Sequence, residues 1–194
     1  DVGLEIGVLP WSGLQMEVGF DFLYPTAGLD APLLLNAKIG APEGAYFEHS
    51  PGWSIGIYGI GFEEDVTDYN ALHVMVGETI PYLGTLSAGI YYGLNPDLFQ
   101  SPDGDASQLG LMASWVSPAI DLPLIDKLYF LWDVQTGANA AAATGGGISV
   151  YFTPAIALVT GPLFFFEPDT QPGGSSFMWS VQLDVDLDLT AKEP

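Results

Sequence analysis

The chain has 194 residues, enough for one domain over 1–194, and its 24 Gly and 15 Pro exclude a helical bundle because these are the poorest helix formers. With 24 acidic and 3 basic side chains the net charge is −21, which excludes nucleic acid as a partner because phosphate binding needs a basic surface. The absence of Cys excludes disulfides and thiolate metal sites.

The N-terminal third alternates apolar and polar residues with a period of two. Residues 2–8 place Val2, Leu4, Ile6 and Val8 on one face, and a turn at 10–13 leads to a second alternating run over 14–24. Such alternation predicts half-buried β-strands. Further strands are predicted along the chain, with prolines at their ends, over 33–40, 53–62, 70–79, 85–94, 107–117, 126–135, 145–153, 155–166 and 177–189.

The connections between these eleven predicted strands alternate in character. One set is tight or bounded by Pro, at 10–13, 42–51, 81–84, 118–125 and 153–154, and the other is polar and acidic, at 25–32, 63–69, 95–106, 136–144 and 167–175. Short turns on one side and long loops on the other are typical of outer-membrane β-barrels. Because such barrels have an even number of strands, we expect one more strand preceding Asp1, giving about twelve.

The apolar faces of the predicted strands indicate contact with lipid. A membrane barrel carries aromatic girdles at both interfaces, and six residues near strand ends are predicted to form them: Trp11, Trp53, Tyr82, Trp115, Trp132 and Trp179. Two alternatives stay open. The uncharged stretch 148–166 is long enough for a membrane helix, and a soluble β-sandwich would also give alternating strands.

Three segments carry a resemblance to a known class of proteins. LQMEVGFDFLYP at 14–25, LLLNAKIGAPEG at 33–44 and FMWSVQLDVDLDL at 177–189 resemble strands of Gram-negative outer-membrane β-barrels, and in particular of small porin-like proteins. The resemblance covers the whole chain as a pattern. It implies an all-β, transmembrane, antiparallel up-and-down barrel in the cell outer membrane. The implied partners are the lipid bilayer, lipopolysaccharide and other envelope proteins.

The polar faces of the predicted strands supply the candidate site. The residues expected to line the lumen are Glu5, Glu17, Asp21, Lys38, His73, Glu78, Lys127, Asp133, Gln182, Asp184, Asp186 and Asp188. Because carboxylates in a narrow pore attract cations, we expect a passive channel for ions or small polar solutes that prefers cations, and not an enzyme. The alternative is a lumen filled by its own side chains, in a closed structural barrel that acts as an anchor or assembly subunit.

Two further features of the sequence give weaker indications, one of a hydrolase site and one of a Ca²⁺ site. His73 would serve a barrel hydrolase only with a neighbouring Ser, for which Ser87 and Ser114 are the candidates. Three carboxylates, Asp97, Asp103 and Asp105, offer oxygen ligands for a weak Ca²⁺ site, although the spacing is not that of a calcium loop. We expect no cofactor, because the sequence contains no nucleotide or phosphate-binding motif.

Overall fold

Runs of β-branched and aromatic residues between Gly- and Pro-rich turns form strands throughout the computed structural model, which describes residues 2–11, 13–23 and 30–185. The protein is all-β, with twelve antiparallel strands in one sheet. They are β1 (Val2–Trp11), β2 (Leu14–Phe22), β3 (Leu33–Ala41), β4 (Gly52–Ile60), β5 (Ala71–Ile80), β6 (Gly84–Gly93), β7 (Leu109–Val116), β8 (Ile120–Leu122), β9 (Ile125–Gln135), β10 (Ala143–Thr153), β11 (Ile156–Phe165) and β12 (Phe177–Val185).

Eleven of these strands pair in chain order, and the short β8 pairs only with β9. The eleven predicted strands are therefore confirmed, whereas β8 was predicted to be part of a turn. The stretch 148–166 lies almost entirely within β10, β11 and their turn, as the strand prediction expected, and the alternative of a membrane helix there is excluded. Among the described residues, no helix has the length and apolar content to cross a membrane.

The two sets of connections lie at opposite ends of the sheet, as an antiparallel meander requires. One end, here called the turn end, carries the connections after β1, β3, β5, β7 and β10. The other, here called the loop end, carries the connections after β2, β4, β6, β9 and β11, and the last of these includes two 3-10 turns at Pro168–Thr170 and Pro172–Gly174. The connections thus fall into two sets that alternate along the chain, as predicted, although the Pro-bounded connection between β3 and β4 is longer than the loop between β9 and β10.

The sheet is strongly curved. The Gln135 amide on β9 donates a hydrogen bond to the Tyr58 hydroxyl on β4 at 3.1 Å. These strands are four strand spacings apart, which is roughly 19 Å along a flat sheet. The two side chains are too short to meet across that distance unless the sheet bends around them. The concave face therefore encloses a space, here called the lumen.

Large apolar side chains lie mainly on the convex face. In the pairing of β4 with β5, Trp53 and Ile55 lie opposite Val76 and Val74 on this outer face. Thirty-nine large apolar residues of the described chain are exposed, against seven buried hydrophobic residues. A soluble sandwich would instead bury such a face between two sheets.

The sheet has two free edges within the described residues. No ladder joins β1 to β12. Because eleven strands alternate along the path, both edge strands start at the loop end and run towards the turn end. The two edge strands are therefore parallel to each other, and in the described residues the N–H and C=O groups along their outer edges have no ladder partner.

Candidate functional site

The lumen beneath β1–β5 contains an ion pair between neighbouring strands. Glu17 on β2 pairs in register with Lys38 on β3, and the Lys38 Nζ lies 2.5 Å from the Glu17 Oε1. Both side chains remain partly exposed, at 46% for Lys38 and 35% for Glu17. The only predicted lumen cation on this side of the sheet is therefore neutralised by a carboxylate.

Two further carboxylates line the same wall. The Asn36 amide donates to the Asp21 carboxylate at 2.6 Å. Glu5 on β1 lies opposite Gly19 on β2, where a Cβ would come within 2.7 Å of the Glu5 Cγ. The absence of a side chain at Gly19 thus allows Glu5 to lie flat along the sheet.

These groups surround a cavity of about 550 Å³. Its polar wall contains Glu5, Glu17, Asp21 and Lys38, and its aromatic wall is formed by Tyr58, Tyr69 and Phe99. A second cavity of about 390 Å³ lies towards the turn end, next to Trp53 and Pro42. Glu17 and Lys38 line both cavities, so their ion pair stands at the boundary between them.

His73 also lines the larger cavity. Its ring lies 5.8 Å from the Tyr58 ring, and its Nδ1 is buried without a hydrogen-bond partner in the described part of the chain. Ser87 lies opposite Gly77, four residues along β5 from His73, which is about 13 Å. Ser114 pairs with Ser87 on the next strand. The Ser–His contact that a hydrolase requires is not formed by either candidate.

The opposite wall holds the remaining described candidates for the lumen. Lys127, Tyr151, Ala157 and Asp184 lie in one row across β9–β12, and the Gln182 amide donates to the Asp184 carboxylate at 2.7 Å. Asp133 lies in register with Ser114, on the same face of β9 as Lys127. Asp186 and Asp188 lie outside the described residues.

Glu78 does not face the lumen, contrary to the prediction. It pairs with Leu86 and shares its face with Val76, while the lumen side of β5 is occupied by Gly77 and Thr79. The period-two pattern of β5 would have placed Glu78 outside. Its charge led to the wrong assignment, because an acidic residue near a strand end is tolerated on the outer face.

Three loops at the loop end pack together and form a cap, defined here as the loops 61–70, 94–108 and 136–142. Phe99 packs inward against Tyr91 and Tyr69, with ring centroids 5.9 and 6.0 Å apart. Phe99 is 1% exposed, and Tyr91 and Asn139 are fully buried. Burial also raises the pKa of the Tyr69 hydroxyl above its ordinary value, which keeps the group neutral.

Hydrogen bonds tie the cap to the strands. The Asn139 amide donates to the Tyr91 hydroxyl at 2.9 Å and to the Ser107 carbonyl at 2.5 Å. The Tyr91 hydroxyl in turn donates to the Thr136 carbonyl at 2.7 Å. Sequence reasoning treated these loops as solvated and missed the cap. The signals were the apolar pair Leu98–Phe99 in a polar loop and the Ala-rich segment around Asn139.

The predicted girdle residues are distributed over both ends of the sheet. Trp11, Trp53, Tyr82 and Trp115 lie at the turn end, whereas Trp132 and Trp179 lie within three residues of the loop end of their strands. The Trp115 indole donates to the Leu83 carbonyl at 2.7 Å, which fixes its ring beside the β5–β6 turn.

The three carboxylates considered for Ca²⁺ are not brought together. No group of three or more His, Asp or Glu residues able to hold a metal occurs within residues 2–11, 13–23 and 30–185. The loop is instead closed by its own bonds, including the Ser101 amide to the Asp105 carbonyl at 2.8 Å. Comparison with known proteins adds no assignment, since no family model, curated protein or solved structure matches the chain.

Proposed function

We propose that the protein is an outer-membrane β-barrel that acts as a porin-like channel for the passive diffusion of small cations. The observation that carries this proposal is the apolar convex face, with exposed residues such as Leu72, Val74, Val181 and Leu183. In water this face would cost free energy in proportion to its area. In a bilayer the same residues are matched by lipid tails, and pairing between neighbouring strands satisfies the backbone groups along the ladders.

Closure of the barrel is part of this proposal. Both edge strands run from the loop end to the turn end, so one strand running the opposite way would pair antiparallel with each. That twelfth spanning strand agrees with the even count expected for outer-membrane barrels. It would also remove both unpaired edges from lipid, where each unsatisfied backbone group is costly.

The cation preference follows from the charges on the concave face. Glu5, Glu17, Asp21, Asp133 and Asp184 point towards the lumen side, against Lys38 and Lys127. In a narrow space with low-dielectric walls, this excess of carboxylates raises the local concentration of cations and repels anions. No covalent step is required.

The cap favours a second candidate function, a closed structural barrel. Fully buried Asn139 and Tyr91 are hydrogen-bonded to each other in the cap, and small barrels are often filled by their own side chains. Such a barrel would serve as an anchor whose acidic loops contact lipopolysaccharide-bound cations or envelope proteins.

Single-channel recording distinguishes the two functions. The refolded protein is placed in a planar bilayer under a KCl gradient, and folding is confirmed by heat-modifiable migration on a gel. Steady current steps with a reversal potential favouring K⁺ support the channel. A silent bilayer with folded protein contradicts the channel and leaves the structural barrel.

A further inference from the structure

The 550 Å³ cavity has one wall that carries carboxylates and one wall that is aromatic, and the two together fit one kind of ligand. Glu5, Glu17 and Asp21 face it from β1 and β2, and Lys38 compensates one of the three charges. On the cap side the cavity is bounded by Tyr58, Tyr69 and Phe99. From these features we propose that the cavity binds a small organic ammonium ion with an aromatic or apolar body.

The aromatic wall is held in place by packing that does not involve a ligand. The Tyr69 and Phe99 rings meet edge to face at 89°, and the Tyr58 hydroxyl accepts the Gln135 amide. Because Phe99 is almost fully buried, the surface that a ligand can reach is formed by the half-buried Tyr58 and Tyr69 rings. Rings fixed in this way offer a preformed surface for an apolar body and for cation–π contact. An inorganic cation would use the carboxylates alone and would leave this surface without a partner.

The polar wall matches the charged end of such a ligand. Asp21 receives one hydrogen bond from Asn36 and retains lone pairs for another donor, whereas Glu17 is engaged by Lys38. Ammonium N–H groups make strong, charge-assisted bonds to carboxylates. The volume lies within the usual range of ligand pockets, roughly 300–1,000 Å³. A ligand entering from the turn end would pass the Glu17–Lys38 pair, which borders both cavities.

This inference names the solute class of the proposed channel and rests on the same lumen, but binding is measured without conduction. The refolded chain in a nonionic detergent is titrated by calorimetry with phenethylammonium chloride. Two analogues test the contributions of the polar and the aromatic wall separately: 2-phenylethanol lacks the charge and ethylammonium lacks the ring. We expect saturable binding of phenethylammonium, with each analogue at least about tenfold weaker.

A matched pair of variants locates the site. Glu5→Gln combined with Asp21→Asn removes two cavity carboxylates and should weaken binding about tenfold or more. Glu78→Gln removes one carboxylate from the outer face and should leave binding unchanged. The inference would be overturned if either analogue bound as tightly as phenethylammonium, or if the Glu78 variant lost as much affinity as the double variant. It would also be overturned if folded protein showed no saturable binding. If the protein binds phenethylammonium but gives no current in bilayers, the binding site is supported and the channel is refuted. If it conducts cations but does not bind phenethylammonium, the channel is supported and the binding site is refuted.

Discussion

Replacement of Asn139 by Ala should loosen the cap without disturbing the strands. Asn139 is fully buried, and its side chain makes three hydrogen bonds: to the Tyr91 hydroxyl, to the Ser107 carbonyl and from the Ala141 amide at 2.9 Å. Tyr91 keeps its bond to the Thr136 carbonyl in the variant. The Ser107 carbonyl and the Ala141 amide lose these Asn139 partners.

The size of the effect follows from those two groups. Each lost bond contributes about 1–1.5 kcal/mol, so the cap should be destabilised by about 2–3 kcal/mol. At 1.4 kcal/mol per factor of ten, the equilibrium for local opening should rise roughly 30- to 140-fold. Hydrogen exchange of the Ala138 and Ala142 amides reports this opening, because both bond within the cap to groups that the substitution retains, the Ser107 hydroxyl and the backbone carbonyl of residue 139.

A second asparagine in the same cap provides the control. Asn95 donates to Asp65 and Asp68 where solvent has access, so Asn95→Ala leaves groups that water can satisfy. Its effect on the same two amides should stay below about fivefold. Unchanged exchange in Asn139→Ala, or an equal increase in Asn95→Ala, would refute the reasoning that a buried network holds the cap closed.

Three further substitutions test the lumen, the outer face and the packing of the cap. Lys38→Met should raise the K⁺ over Cl⁻ permeability ratio by about twofold or more, the effect of a unit charge about 8 Å away across water. Glu78→Gln, which removes a charge from the outer face, is the control, and an equal change there would contradict the role of Lys38. Val74→Arg places a charge on the convex face and should lower stability in lipid vesicles by about 2–4 kcal/mol in urea titrations; an unchanged midpoint would argue against lipid contact. Gly93→Ala would put a Cβ into the Phe99 ring and should cost about 1–3 kcal/mol, measured as faster exchange of the Phe99 amide; unaltered exchange would mean that the ring packs elsewhere.

The strands and their connections were predictable because each depends on local pattern. A period of two over nine or ten residues fixes which face is apolar, and prolines mark where pairing ends. The short β8 was not predicted, because Ile120–Leu122 lies between Pro118 and Pro123 and is too short to show a period of two. Glu78 was misplaced because its charge was given more weight than its position in the alternation.

The cap was not predictable because it depends on contacts between distant residues. Asn139 meets Tyr91 across 48 positions, and Gln135 meets Tyr58 across 77. A single sequence places these residues on the correct strands and loops, but it does not fix the curvature that brings β4 and β9 together. The lumen residues could therefore be named one strand at a time, whereas the cavity between them required the bent sheet.

Glycines on the concave face determine how much of the lumen is left empty. A Cβ at position 56 would come within 2.5 Å of the His73 Cε1, and one at position 19 would meet Glu5. Each glycine thus lies beside a long inward side chain on the neighbouring strand and allows it to lie along the sheet. A barrel filled by its own side chains would gain packing from larger residues at these positions. The small residues at positions 19 and 56 thus let Glu5 and His73 lie against the wall of the cavity that both side chains line.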